Sequence, residues 1–171
     1  MKRYAGIVRR LDNLGRVVIP REYRKMHRIN ESDLLEITSN DSGEIIVKKL
    51  NLSDELMTVG STYITQLCAS TGLTVAISDT EKFLLADGEL KGTLSYRLPN
   101  QIAAAIAARK SFNGTGPEVG LEGVSYICFE TLHQDDVFGA IFYVSDDPIS
   151  PEDAKVLKPV SKIFSSQMQK Y

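Results

Sequence analysis

Nine of the first 28 residues are lysine or arginine, against two acids. Arginine carries a planar fork of donors that engages a phosphate, or the edge of guanine, through two parallel hydrogen bonds. Arg9 and Arg10 come just before, and Arg16 just after, the stretch Asp12-Asn13-Leu14-Gly15. Arg24 and Lys25 are neighbours in a short helical pattern, so their side chains splay about 100° apart and can reach different groups. This is chemistry for holding anions. Charge alone leaves two readings open, a nucleic-acid surface and a solvated basic face.

Other residues that could do chemistry are poorly placed for it. Asp135-Asp136 and Asp146-Asp147 are adjacent pairs beside turns, and adjacent residues there point apart, so neither pair makes an acid/base site. Cys128 and His133 lie five residues apart in an extended segment and face opposite ways. Gly114-Thr115-Gly116 has no lysine and opens no helix, so it is not a phosphate loop. The two cysteines, Cys68 and Cys128, sit in apolar runs and read as small hydrophobes. With only His27 and His133 beside them, neither a zinc site nor a disulfide framework is expected. No catalytic residue, metal or cofactor is assigned, and the chain is not read as an enzyme.

The basic residues are concentrated in one part of the chain. Residues 1–50 hold 11 Lys/Arg and 7 Asp/Glu, a net of +4; residues 51–171 hold 9 and 15, a net of −6. Apolar content is 43% and charged content 25%, as in an ordinary globular protein. No run approaches the roughly 18 apolar residues of a membrane span. Met1-Lys2-Arg3-Tyr4 leads straight into patterned sequence without an apolar signal core, so a cytoplasmic location is expected.

Residues 5–11 alternate as a strand, and Asp12 to Gly15 supply turn chemistry. Arg16-Val17-Val18-Ile19 is a β-branched second strand. Pro20 suits the first turn of a helix over Arg21 to Met26, with Glu22 near its positive end. Leu34 to Thr38 and Glu44 to Lys49 are two further strands about an Asn40-Asp41-Ser42-Gly43 turn. Two hairpins of this size are marginal alone in water, and so small a domain buries only about 60% of its unfolded surface. Two copies sharing one barrel would resolve this, with folding and dimerisation as one event.

The run Gly6-Ile7-Val8-Arg9-Arg10-Leu11-Asp12-Asn13-Leu14-Gly15-Arg16-Val17-Val18-Ile19-Pro20-Arg21-Glu22-Tyr23-Arg24-Lys25 resembles the AbrB family of transition-state regulators. Leu34-Leu35-Glu36-Ile37 and Ile45-Ile46-Val47-Lys48-Lys49 extend the resemblance over residues 3–50. It implies a dimeric swapped-hairpin β-barrel that binds double-stranded DNA. The residues implied as DNA contacts are Arg9, Arg10, Arg16, Arg24 and Lys25. Arg21 and Lys2 are placed on the rim. His27-Arg28 departs from the Leu-Gly of many relatives; Arg28 adds a possible phosphate contact, and the loop there is expected to differ.

Beyond residue 50 the pattern changes. Ser53 caps a helix over 53–70 whose apolar face is Leu56, Val59, Tyr63, Ile64 and Leu67, ended by Gly72. Leu73–Ser78 and Phe83–Ala86 are strands about a turn, and 87–97 is a loop. Pro99 opens an alanine-rich helix to Lys110, and 111–117 is a break. Val124–Leu132 and Val137–Val144 are longer strands. Ser150-Pro151-Glu152-Asp153 starts a last helix, to about residue 170.

This order resembles a GAF domain. The fold class is therefore α+β: an AbrB-type barrel over 1–52, then an α/β GAF-like sensor or oligomerisation domain over 53–171. GAF-like folds place an effector pocket over one sheet face, and Phe83, Tyr96, Phe112, Tyr126 and Phe129 are its candidate lining. The terminal helices could pair between subunits and turn a homodimer into a homotetramer; alternatively, each covers only its own sheet. The functional expectation is a sequence-specific, nucleoid-associated transcription regulator of sporulation or another late-growth programme. The competing expectation is an AbrB-type antitoxin that binds a toxin partner.

Overall fold

The computed structural model describes residues 6–31 and 33–168. Lys2, Ala5 and residues 169–170, where the sequence pattern predicts the last helix to end, lie outside the described residues. The chain divides into two compact units between Leu50 and Asn51.

In the first unit, helix α1 (Arg21–Met26) begins after Pro20, whose φ of −59° suits a helix entry. Glu22 lies in its first turn and Arg24 and Lys25 in its last, which complements the helix dipole. The helix ends by a specific device. Ile29 N donates to Arg24 O at 2.8 Å and Arg28 N to Lys25 O at 3.3 Å. Such a loop needs a left-handed residue, usually glycine. Here it is Arg28, with φ 53°. A side chain in that conformation costs about 1 kcal/mol or more relative to glycine.

Strands β1 (Leu35–Ser39) and β2 (Ile45–Lys49) form an antiparallel hairpin with Ile37 opposite Val47. Lys49 Nζ donates to Asp33 Oδ2 at 2.7 Å and to the Arg28 carbonyl at 3.1 Å, tying the hairpin to the end of α1.

The two strands expected over 5–11 and 16–19 are not formed as a ladder within one chain. Residues 6–11 and 16–20 carry no regular secondary structure, although the turn between them closes. Two short segments with no second layer bury too little apolar surface to hold a hairpin. None of the described residues of this unit is buried.

The second unit has a full core. Helix α2 (Leu52–Thr71) is capped by Asn51, which accepts from Ser53 N, and ends at Gly72 with φ 72°. Ser53 is the cap expected from the sequence. Its hydroxyl instead donates to Asp79 Oδ2 at 2.8 Å. Strands β3 (Thr74–Ser78), β4 (Phe83–Asp87), β5 (Phe112–Thr115), β6 (Tyr126–His133) and β7 (Val137–Ser145) form one antiparallel sheet in the order β4-β3-β7-β6-β5. The expected loop over 87–97 contains a short 3-10 turn, Glu89–Thr93. The expected break at 111–117 contains β5, an edge strand on β6. Its Asn113-Gly114 centre hides it, because both residues are poor strand formers.

Helix α3 (Asn100–Ala107) stops before Lys110, because Arg109 takes φ 56°. Lys110 N then donates to Ala105 O at 2.9 Å, the same ending as on α1. Helix α4 (Pro151–Gln167) starts at Ser150, whose hydroxyl accepts from Asp153 N. Helices α2 and α4 cover one sheet face, over Val75, Ile77, Ile141 and Tyr143. Helix α3 covers the other, over Ala76, Phe129 and Phe142. β3 is buried on both faces, as a central strand requires.

Candidate nucleic-acid interface

The Asp12–Arg16 turn is built from its own polar groups. Asp12 N donates to Arg16 O at 3.0 Å, and Gly15, at φ 74°, donates its N–H to Asp12 O at 3.1 Å. Asp12 Oδ1 accepts from the N–H groups of Leu14 (3.0 Å) and Arg16 (2.8 Å), while Oδ2 accepts from Arg16 Nε at 2.8 Å. These bonds, the Arg16 backbone first, hold the Asp12 carboxyl below the usual carboxylate range. The Arg16 side chain stays 71% exposed. Its Nε is committed to the turn, while most of the side chain remains in solvent.

The second turn has the same form. Asn40 N donates to Glu44 O at 3.2 Å, Gly43 N to Asn40 O at 3.0 Å, and Glu44 N to Asn40 Oδ1 at 2.9 Å. Gly43 has φ 77°. Asn40 Nδ2 then clasps Glu44 Oε2 at 2.6 Å. One geometry thus presents an arginine at the first turn and a glutamate at the second. Sequence reasoning found both turns but not their equivalence, nor the part played by Asp12. The readable signal was Asp-x-x-Gly-Arg against Asn-x-x-Gly-Glu.

The other basic residues gather in two places. Arg24 and Lys25 line a depression together with Arg21 and Arg28, with Asn30 and Glu31 beside them. Arg21 therefore lies with Arg24 and Lys25. Arg9 lines a separate groove of about 750 Å³ with Ile7, Val17, Ile19, Val47 and Lys48. Among the described residues, the Arg9 guanidinium donates only to its neighbour, the Val8 carbonyl, at 3.1 Å. Arg10 is exposed and lines neither.

The five aromatic candidates of the second unit do not come together. Phe83 meets Phe142 (5.0 Å), Phe142 meets Phe129 (5.2 Å) and Phe129 meets Phe112 (5.9 Å), a continuous row on the α3 face. On β3, the strand between Phe83 and Phe142, Ala76 lies opposite Phe142 and Ser78 opposite Phe83, so small residues separate the two rings. Tyr126 packs with the core on the opposite face. Tyr96 is exposed and accepts from Lys82 Nζ at 3.1 Å. Phe83 and Phe129 are core side chains.

Burial disfavours the charged form of three groups that could otherwise do acid/base or thiol chemistry. Desolvation, with some help from Glu130, pushes the Cys128 thiol up to about 11. It also raises the Tyr143 phenol to about 12. The Glu130 carboxyl is raised by burial, against the pull of Lys158 and His133. Among the described residues, no cluster of His, Cys, Asp and Glu could hold a metal ion, and no helix is long and apolar enough to cross a membrane.

Comparisons with known proteins follow this division. The family model for antidote-toxin recognition MazE, bacterial antitoxin, matches residues 8–53. The transition state regulatory protein AbrB of Bacillus subtilis is 57% identical over 44 residues, 26% of this chain and 45% of that protein. Among solved structures, the GAF-B domain of DevS from Mycobacterium smegmatis superposes with a TM-score of 0.53 at 17% identity, over 66% of this chain and 91% of that one. A type II free methionine-R-sulfoxide reductase from Thermoplasma acidophilum gives 0.55 at 13% identity, over 71% and 97%. At such identity these two speak to the fold alone, which is GAF-like. Stage V sporulation protein T of Bacillus subtilis is 44% identical over 177 aligned positions, 96% of this chain and 97% of that protein. With an AbrB-type unit and a GAF-like unit in one chain, and that identity running through both, the protein belongs to the family of stage V sporulation protein T.

Proposed function

We propose that this protein is a sequence-specific transcription regulator that binds double-stranded DNA through a barrel shared between two N-terminal units. The observation that carries the reading is the exposed apolar surface of a unit that also bears the basic residues. Val8 is 88% exposed, Ile45 76% and Val18 73%. In water that surface is unfavourable, and burying it contributes roughly 25 cal/mol per Å². A second copy covers it and doubles the arginine set. Arg9, Arg10, Arg16, Arg24 and Lys25 then contact the duplex, Arg16 from its closed turn and Arg24 and Lys25 from α1. The regulator acts in sporulation or another late-growth programme, a reading supported by the likeness to stage V sporulation protein T, and is cytoplasmic and nucleoid-associated.

The GAF-like unit binds an effector or drives oligomerisation. Val156 and Ile163, both exposed on α4, support pairing between subunits and hence a homotetramer. The filled aromatic row favours oligomerisation over a pocket on the α3 face.

The test is binding of the full chain to duplex DNA by fluorescence anisotropy. Arg9→Ala and Arg16→Ala are expected to weaken binding at least about ten-fold while leaving the dimer intact. Affinity should fall steeply with salt as phosphate contacts release counterions. Retained affinity in both variants would overturn the site assignment.

A second reading, an antitoxin, draws support from the description of the family model matched at residues 8–53. The relationship across the whole chain, GAF-like unit included, favours the regulator. Co-purification of a toxin bound to the N-terminal unit would reverse that preference.

A further inference from the structure

Among the described residues, two arginines stand in the left-handed region where glycine is at home, Arg28 and Arg109. Both follow helices that end in the same way, and together they make an internal comparison. Arg109 uses its side chain. Its guanidinium donates to the carbonyls of Gln134 (3.2 Å) and Asp135 (2.6 Å), holding the turn between β6 and β7. The strained backbone there delivers a fork to two acceptors.

Arg28 has the same backbone and no such acceptor. Its main chain is engaged, through its N–H to Lys25 and its carbonyl to Lys49 Nζ. Its guanidinium makes no hydrogen bond or ion pair among the described residues. Arg28 lines the same depression as Arg21, Arg24 and Lys25. Like charges gathered this way repel one another, and among the described residues that line the depression Glu31 is the one acid. Complementing the α1 dipole does not explain the arrangement. Arg24 and Lys25 already occupy the last turn of a six-residue helix, and the dipole effect fades within one turn.

We infer that Arg28 is a phosphate-binding residue of the DNA surface, which its left-handed backbone aims into the Arg21–Arg24–Lys25 depression to form a clamp for one backbone phosphate. The inference rests on the DNA-binding reading above. A phosphate oxygen supplies for Arg28 the acceptors that the Gln134 and Asp135 carbonyls supply for Arg109.

The experiment uses the full chain, a random-sequence duplex, and a salt titration by anisotropy, with thermal melting alongside. Arg28→Gly removes the guanidinium and relieves the backbone, so its two readouts should move in opposite senses. Melting is expected at the wild-type temperature or above. Affinity is expected to drop several-fold, and the slope of log K against log salt to shrink by about 1 for each phosphate no longer neutralised. Arg28→Lys, which keeps the charge and the strain, should hold most of the affinity. If Arg28→Gly binds like wild type with an unchanged slope, or melts well below it, the inference is overturned while the DNA-binding reading stands. If wild type itself fails to bind, the reading and the inference fall together.

Discussion

Arg16 Nε and Asp12 Oδ2 sit 2.8 Å apart across the first turn, and the Asp12 carboxylate also accepts two backbone N–H groups from that turn. One acid thus does two jobs. Oδ1 closes the backbone, and Oδ2 orients an arginine that remains largely in solvent. The partner turn separates these jobs, since Asn40 closes the same loop with an amide oxygen and no charge.

Asp12→Asn should therefore fold with the turn intact and bind duplex DNA more tightly, because a negative charge beside Arg16 is removed. Asp12→Ala should instead lose the turn. Amide exchange at Leu14 and Arg16 separates the two, and weaker DNA binding by Asp12→Asn would contradict the account. The pH dependence has a definite sign. The folded pKa of Asp12 is lowered, so its contribution to stability is complete above the unfolded value, about 3.9. That contribution is lost only as pH falls below this value and through the folded one. An NMR titration of the Asp12 carboxyl should show a midpoint below the ordinary range.

Asp79 is the corresponding knot of the second unit. It accepts from Ser53 Oγ, Glu81 N and Lys82 N, each at 2.8 Å, and so joins the start of α2 to the β3–β4 turn. In urea unfolding of the full chain, Ser53→Ala should cost about 1 kcal/mol and Asp79→Ala about 1–3 kcal/mol. The double variant should cost less than the sum, because the residues share a bond.

Gly139 has no room for a side chain. A Cβ there would lie 1.8 Å from the Ser78 carbonyl oxygen, at the pairing of β3 with β7. Gly139→Ala is expected to cost more than about 4 kcal/mol, or to prevent folding. Gly123→Ala, where the nearest atom is 3.6 Å away, serves as the control and should melt near wild type.

Much of this was legible in the residues. Pro20, Gly72 and the Ser150-Pro151 start mark element ends because each has one dominant conformational use. Long, largely apolar runs marked β6 and β7. Three features were hidden for physical reasons. Strand β5 is an edge strand whose Asn113-Gly114 centre lacks strand propensity. The aromatic row depends on β3 presenting Ala76 to Phe142 and Ser78 to Phe83, a register that no local pattern encodes. The cap on α2 passed from Ser53 to Asn51 because Asp79, distant in sequence, captures the serine hydroxyl. In the first unit, the pattern over 6–11 and 16–19 reads as strands, yet one chain does not form them. Local propensity was present without a pairing partner.

Cys128 should be chemically quiet in the folded protein. With its thiol near 11 and its side chain buried, little thiolate exists at neutral pH. Alkylation followed by mass spectrometry should label Cys128 only after unfolding. Because the folded pKa is raised, its contribution to stability is complete below the unfolded value, about 8.5. It is lost as pH rises from there towards 11. Alkaline unfolding should therefore begin in that window.

The central claim is that the N-terminal unit acquires its interior from a second copy. Amide hydrogen exchange across residues 6–11 and 16–20 of the full-length protein reads this directly, because these segments have almost no hydrogen-bonded ladder within one chain. Strong protection that weakens on dilution is the expected result. Exchange at the rate of an unstructured peptide, at any protein concentration, would contradict it.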